Sequence, residues 1–151
     1  MSVGIGYDSH RFAEGRPLIL GGVEIEHERG LSGHSDADVL THAVIDALLG
    51  AAGGGDIGTL FPDDDERWRD ADSIDMLRAV VGTVGGRILN IDATLICEAP
   101  RLAAHRAEME RILAEATSAR VSVKATTNEG MGWIGRGEGI ACMAVASVES
   151  G

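Results

Sequence analysis

HSDADVLTHAVIDALLG (residues 34–50) sets polar, metal-capable side chains directly in front of an apolar, alanine-rich run. Val39, Leu40, Ala43, Val44, Ala47 and Leu48 recur at helical spacing, and Gly50 and Gly53 to Gly55 end the run, so the stretch reads as a helix. Ser35 followed three residues later by Asp38 has the form of a capping box and predicts a helix start at about Asp36. Capping accounts for Ser35 and for Asp38 with no further chemistry. It does not account for His42. Counting by four places Asp38, His42 and Asp46 on one polar stripe of an otherwise apolar helix. A histidine there can donate one ring N–H to a carboxylate and offer its other nitrogen to a metal.

Working outward, VGIGYDSHRF (3–12) reads as a strand, and LILGGVEIE (18–26) as a hairpin broken at Gly21-Gly22. GDIGTLFPDDDERWRDADS (55–73) is turn-rich and acidic, an ordered but mobile loop. A second helix begins near Asp72 or Ser73, either of which can cap it, with Ile74, Leu77, Val80, Val81 and Val84 on one face before Gly85-Gly86. RILNIDATLICEA (87–99) is a strand closed by Pro100, and a third helix covers about 101–117 with Leu102, Met109, Ile112, Leu113 and Ala116 inward. VSVKATT (121–127) alternates, with Val121, Val123 and Ala125 on one face. A glycine-rich turn, EGMGWIGRGEG (129–139), leads to IACMAVASV (140–148), which is apolar on both faces and suits a central strand. The expected fold is α/β (α+β): a single mixed β-sheet with helices packed on one side. No repeat, linker or low-complexity tract divides residues 1–151, which read as one domain.

Composition narrows the function. A hydrophobic content of 44% and a charged content of 25% are ordinary for a globular protein. No apolar run approaches the roughly 20 residues of a membrane span, and no basic, apolar leader for export is present. The net charge of −11 argues against a nucleic-acid partner, because a phosphate backbone needs a basic face. Cys97 and Cys142 each sit in a stretch that reads as a buried strand, small hydrophobes suited to a reducing cytosol and a cytoplasmic location. The 21 glycines and only 3% aromatics make a thin core, which favours further burial at a subunit interface.

Two constellations carry chemistry. Asp8 and His10 are two apart in a strand, so both side chains leave the same face. With His42 they make three N and O ligands, the count of a catalytic zinc site that keeps its fourth position open. His34 is either a loop hydrogen-bonder or a substrate contact, and His27 and His105 read as surface residues. KATTNEG (124–130) ends a strand in two hydroxyls, an amide and a carboxylate. That set suits phosphate oxygens and, at Glu129, a magnesium ion, but equally a β-turn with local hydrogen bonds. In GRGEG (135–139) Arg136 can clamp an anion or pair with a neighbouring glutamate.

Order along the chain then names a family. GYDSHRF, LILGGVEI, GLSGHSDADVLTHAVIDALLGAAGGGDIGTLFPD, ADS, EAPRL and VKATTNEGMGWIGRGEGIACMAVA follow one another from end to end. In this the chain resembles the 2-C-methyl-D-erythritol 2,4-cyclodiphosphate synthase family. The resemblance implies a homotrimer with an active site at each subunit interface. The implied reaction turns 4-diphosphocytidyl-2-C-methyl-D-erythritol 2-phosphate into the cyclic 2,4-diphosphate and CMP. Asp8, His10 and His42 would hold Zn2+, and Glu129 would hold Mg2+ or Mn2+ between the two phosphates. His34 and Thr127 would serve the catalytic step. Ser35, Asp56, Ile57, Gly58, Phe61 and Asp63 would face the methylerythritol and its phosphate. CEAPRL (97–102), with Cys97, Pro100, Arg101 and Leu102, would line the cytosine pocket together with Ala125 and Thr126, from the neighbouring subunit, and Thr126 and Thr127 would contact the phosphates and ribose-side groups. Lys124 and Arg136 would help invert the local charge, and Trp133 would stand near the trimer axis, where the family forms an apolar cavity for an isoprenoid diphosphate. Ala37, Asn128 and Trp133 depart from the residues the family often has, Ala37 mildly, at a helix start. Two other readings fit the same residues: a zinc-dependent phosphoester hydrolase with Asp38 or Asp46 as base, and a non-catalytic trimeric protein binding nucleotides or isoprenoid phosphates.

Overall fold

The structure, a computed structural model, describes residues 1–151. Seven strands form: β1 (Ser2–Ala13), β2 (Leu18–Leu20), β3 (Val23–Ile25), β4 (Gly30–Leu31), β5 (Gly86–Ile96), β6 (Arg120–Thr126) and β7 (Gly139–Ser150). Five of them make one mixed sheet in the order β4-β1-β7-β5-β6. β7, apolar on both faces, is its central strand, antiparallel to β1 on one side and to β5 on the other. β5 and β6 run parallel, and the crossover between them is the helix α4 (Arg106–Thr117), as parallel pairing requires.

The other helices are α1 (Val39–Ala52), α2 (Ile57–Leu60), α3 (Ser73–Val81) and α5 (Gly132–Gly135). α1 lies on β1 and β7, α3 packs on α1, and α4 packs on α3 and β6. The opposite face of β1 and β7 has no helix over it, leaving Val3, Ile5, Tyr7, Met143 and Val145 exposed.

Glycines bring α1 down onto β1. A Cβ at Gly4 would stand 2.0 Å from the Ala47 carbonyl oxygen, and one at Gly6 2.0 Å from that of Ala43. No side chain fits in either place, so the helix backbone rests directly on the strand. This contact sets His42 beside Asp8 and His10.

Several expectations are corrected. The 18–26 hairpin does not join the sheet; β2 and β3 form a sheet of their own. Gly21 and Gly22 take φ values of 58° and 75° and give the two-residue turn. Their N–H groups donate to Asp38, 2.8 Å each, which pins the hairpin over the start of α1. α1 begins at Val39, three residues after the predicted start, with Asp38 as its N-cap. Ala37 has φ 58° and cannot continue a helix backwards. Ser35 is therefore no cap for α1; its hydroxyl accepts from the Ala37 N–H and touches His42 instead. The 55–73 loop contains α2, capped by Asp56, and a 3-10 turn, Glu66–Trp68, capped by Asp65. The third helix is split into a 3-10 turn, Ala103–His105, and α4. No helix is long and apolar enough to cross a membrane.

Candidate functional site

Three side chains from two elements converge. On β1, Asp8 and His10 project from the same face, and the His10 Nε2 lies 2.8 Å from Asp8 Oδ2. From α1, His42 Nδ1 lies 3.1 Å from the same oxygen and 3.3 Å from His10 Nε2. The longest of these spacings equals the edge of a zinc tetrahedron, about 3.3 Å for bonds of about 2.0–2.1 Å, and the other two are shorter, so the three groups stand close enough to share one ion.

The donor chemistry fits a cation as well. His10 Nδ1 is 2.9 Å from the Ser32 carbonyl oxygen, which can only accept, so Nδ1 carries the hydrogen and Nε2 presents a lone pair. On His42 the ring is gripped from behind: Nε2 is 3.1 Å from Ser35 Oγ and 2.8 Å from Ser73 Oγ. Two imidazole nitrogens and a carboxylate oxygen therefore face one point, which a metal or a proton must occupy. Burial alone would raise the Asp8 carboxyl, but its hydrogen bonds to His10 and His42 prevail and hold it at about 2. Burial works against the charged form of His42, yet Asp8 raises it above the ordinary 6.5. Asp8, His10 and His42 thus form a candidate metal site.

The triad opens on a cavity of about 220 Å³ that His34, Ser35, Ile57, Gly58, Phe61 and Asp63 also line. His34 Nε2 reaches the Asp65 carbonyl oxygen at 3.1 Å, fastening it to the 3-10 turn. Asp56 does not line this cavity; its carboxylate accepts from the Thr59 N–H and hydroxyl at the exposed start of α2. Trp68 and Met76 complete the wall. Sequence reasoning misses both: Trp68 is hidden in an acidic loop, and Met76 lies off the apolar face read for its helix.

A second cavity, about 200 Å³, brings together Cys97, Pro100, Arg101, Leu102, Ala125, Thr126 and Thr127. It shares no residue with the first. Glu98, within the same motif, also braces a neighbouring turn, since its carboxylate accepts from the Asn128 N–H at 2.8 Å and the Gly130 N–H at 3.2 Å. That turn carries Glu129, whose own φ is 54° and whose N–H donates to Thr127 Oγ1. Glu129 is exposed and lines neither cavity. Trp133 stands with Ser9, His10, Arg11 and Glu138 around a third, open cleft.

Two of the basic residues carry ion pairs. Lys124 Nζ is 2.6 Å from Asp92, and Arg136 Nε is 2.6 Å from Glu138. Both pairs are solvent-exposed, and Arg101, on the wall of the second cavity, has no acidic partner. The base candidates of the hydrolase reading are engaged too. Asp38 is fully buried and accepts from four donors: the N–H groups of Gly21, Gly22 and Thr41 and the Thr41 hydroxyl. Asp46 accepts from the Tyr7 N–H at 3.4 Å.

A strand Asp-x-His pair completed by one helix histidine, set over a cavity of mixed polar and apolar lining, marks an α/β protein with a candidate metal centre. Within that class the chain belongs to the YgbB family, whose model matches residues 1–149. It is 59% identical over 155 residues to the 2-C-methyl-D-erythritol 2,4-cyclodiphosphate synthase of Rubrobacter xylanophilus, covering 97% of this chain and 94% of that one. The synthase of Salinibacter ruber is 56% identical over 156 residues, covering 99% of each chain. A solved structure of a 2C-methyl-D-erythritol-2,4-cyclodiphosphate synthase with CDP bound superposes with a TM-score of 0.87 at 37% identity, covering 97% of this chain and 99% of that one.

Proposed function

We propose that this chain is a phosphorus–oxygen lyase that converts 4-diphosphocytidyl-2-C-methyl-D-erythritol 2-phosphate to 2-C-methyl-D-erythritol 2,4-cyclodiphosphate and CMP, in the non-mevalonate route to isoprenoid precursors. The observation that carries the reading is the Asp8–His10–His42 cluster, opening on a cavity in a chain that aligns with named synthases over nearly its whole length. Asp8, His10 and His42 would hold Zn2+ and Glu129 would hold Mg2+ or Mn2+, and when bound the two ions supply charge neutralisation for the substrate diphosphate.

The chain's own groups do the rest. Pro100, Leu102 and Ala125 give apolar walls for the cytosine, with Cys97 and Arg101 beside them. Thr126 and Thr127 direct hydroxyls to the phosphates. Ile57, Gly58, Phe61 and Asp63 enclose the methylerythritol, with Asp56 at the rim and His34 and Ser35 on its phosphate. A 2-phosphate oxygen of the substrate attacks the β-phosphorus in line, and the new P–O bond forms as the bond to CMP breaks. The electron pair leaves with the CMP phosphate, so no protein nucleophile is needed. The cysteine beside the nucleotide cavity agrees with this: burial pushes the Cys97 thiol up to about 11, far from a thiolate at neutral pH.

The complete site lies between two subunits of a homotrimer. Its support is the separateness of the two cavities within one chain and the exposed apolar strip on the helix-free face of the sheet. Residues 1–151 act as one domain, and two free, buried cysteines fit a reducing cytoplasm.

Phosphorus NMR of the protein with this substrate, with and without a strong chelator, tests the reading. The expected result is the cyclic diphosphate and CMP, abolished by chelation and by His42→Ala. Release of inorganic phosphate would establish a hydrolase instead, and an unchanged spectrum with metal bound would leave a binding protein.

A further inference from the structure

Behind His42, on the side away from the metal position, runs a chain of hydrogen bonds that the reaction above does not use. His42 Nε2 meets Ser73 Oγ at 2.8 Å, and Ser73 Oγ in turn donates to Asp36 Oδ1 in a short contact. A carboxylate only accepts, so the Ser73 hydroxyl hydrogen is committed to Asp36. What Ser73 Oγ offers His42 is then a lone pair, and Nε2 must carry the ring hydrogen. Nδ1 is left with its lone pair aimed at Asp8 and His10. Ser35 Oγ, the other neighbour of Nε2 at 3.1 Å, already accepts from the Ala37 N–H and imposes no direction of its own.

We propose that Asp36 and Ser73 are positioning residues whose relay fixes the tautomer of His42 and thereby sets the metal affinity of the triad; this rests on the metal reading of Asp8, His10 and His42. The relay also staples the cavity wall to the ligand. Asp36 Oδ2 accepts from the Ser73 N–H at 2.9 Å, the Asp36 N–H donates to the Ala71 carbonyl at 3.2 Å, and the Asp70 N–H donates to the His34 carbonyl at 2.9 Å. The end of the segment bearing Ile57, Phe61 and Trp68 is thus tied to the residue that directs His42. Each partner has a bland local explanation: Asp36 before a helix, Ser73 at the start of another. Ser73 is nonetheless fully buried, and its hydroxyl turns away from its own helix to reach a residue 37 positions earlier.

The test is Zn2+ affinity measured by competition with a chromophoric chelator for wild type, Ser73→Ala, Asp36→Asn and Leu77→Ala. Ser73→Ala removes the relay's middle member. Asp36→Asn puts an amide NH2 where the site needs only acceptors, whichever way the amide turns. Both are expected to weaken zinc binding about 10–100-fold, the usual effect of losing a ligand's outer partner. Leu77→Ala truncates a buried residue of the same helix without touching the relay, so it lowers the melting temperature yet keeps zinc affinity within about twofold. In the zinc-loaded protein, the His42 Nε2–H proton should give a downfield, slowly exchanging NMR signal that both relay variants displace or lose. Relay variants that bind zinc as tightly as wild type, or a Leu77→Ala protein that loses as much as they do, overturn the relay alone. A wild-type protein that takes up no zinc overturns the metal reading with it.

Discussion

His42 and Asp8 respond to protons in ways that differ with and without metal. In the chelated protein Asp8 is depressed to about 2, so the stability it contributes is present above its unfolded value and is lost as pH falls through 2. His42 is raised above 6.5, so its contribution is complete below the unfolded value and is lost as pH rises through the raised one. From this pair, the chelated protein should melt at a lower temperature at pH 9 than at pH 5.5. Metal reverses the slope, because a ligating imidazole must be neutral: stabilisation by added zinc should grow over the same range. Calorimetry with zinc and with chelator checks both slopes, and parallel curves would remove the metal from this site. Asp38 gives a residue-scale prediction of another kind. Asp38→Ala strands four donors, three of them in buried bonds, and is expected to cost about 3–5 kcal/mol in urea unfolding, whereas Asp38→Asn, which keeps an acceptor, should lose less. At this scale the convergence of Asp8, His10 and His42 into a candidate metal site was legible in the sequence, because a strand period of two and an unexplained helix histidine are local patterns. The roles of Ser73 and Asp36 were not: each satisfies a capping rule, and only the fold brings them together behind His42. Ala37 looks in sequence like a mild replacement at a helix start, while its backbone takes φ 58°, where a glycine meets no Cβ penalty.

Elements are joined at the Gly4–Gly6 stretch of β1, and the centre depends on that contact. Gly6→Ala would place its Cβ 2.0 Å from the Ala43 carbonyl oxygen and 2.6 Å from the Ala47 nitrogen, both of them backbone. Backbone cannot turn aside as a side chain does, so α1 must lift from β1, at an expected cost of about 3 kcal/mol or more. Because α1 carries His42 and β1 carries Asp8 and His10, zinc affinity should fall together with stability. Gly50→Ala has the opposite sign. Its Cβ would meet Gly4 Cα at an ordinary 3.5 Å, and alanine in place of glycine in the helix should stabilise by about 0.5–1 kcal/mol. Urea midpoints of the two variants, with chelator titration of zinc, check the contrast. Most elements were legible from period and punctuation, β7 most of all, since its two apolar faces announced a central strand. The order β4-β1-β7-β5-β6 was not, because pairing across the sheet depends on contacts far apart in sequence. Nor was the detached hairpin, whose position is decided by the carboxylate of Asp38. β4, two residues long, is too short to show any period.

For the whole molecule the question is how a chain of net charge −11 completes a site for a polyanion. Its core is built from alanine, valine and leucine against a glycine-bearing strand, and one sheet face is left without helices. On that face Ile5 and Val145 are cross-strand partners, 63% and 42% exposed, in line with Val3, Tyr7 and Met143. An apolar strip of this kind is what a symmetric assembly covers. If three chains meet there, each buries its strip, and the nucleotide cavity of one can stand across from the metal cavity of the next. The double substitution Ile5→Glu, Val145→Glu puts like charges into every copy of the contact and should yield monomers in light scattering. Those monomers should bind zinc with near-wild-type affinity, since Asp8, His10 and His42 all come from one chain. They should also lose cyclisation by at least about a hundredfold, since a site assembled from two chains loses the positioning that accounts for much of catalysis. A monomer that keeps both zinc and full turnover would place the whole reaction within a single chain and remove the need for the interface.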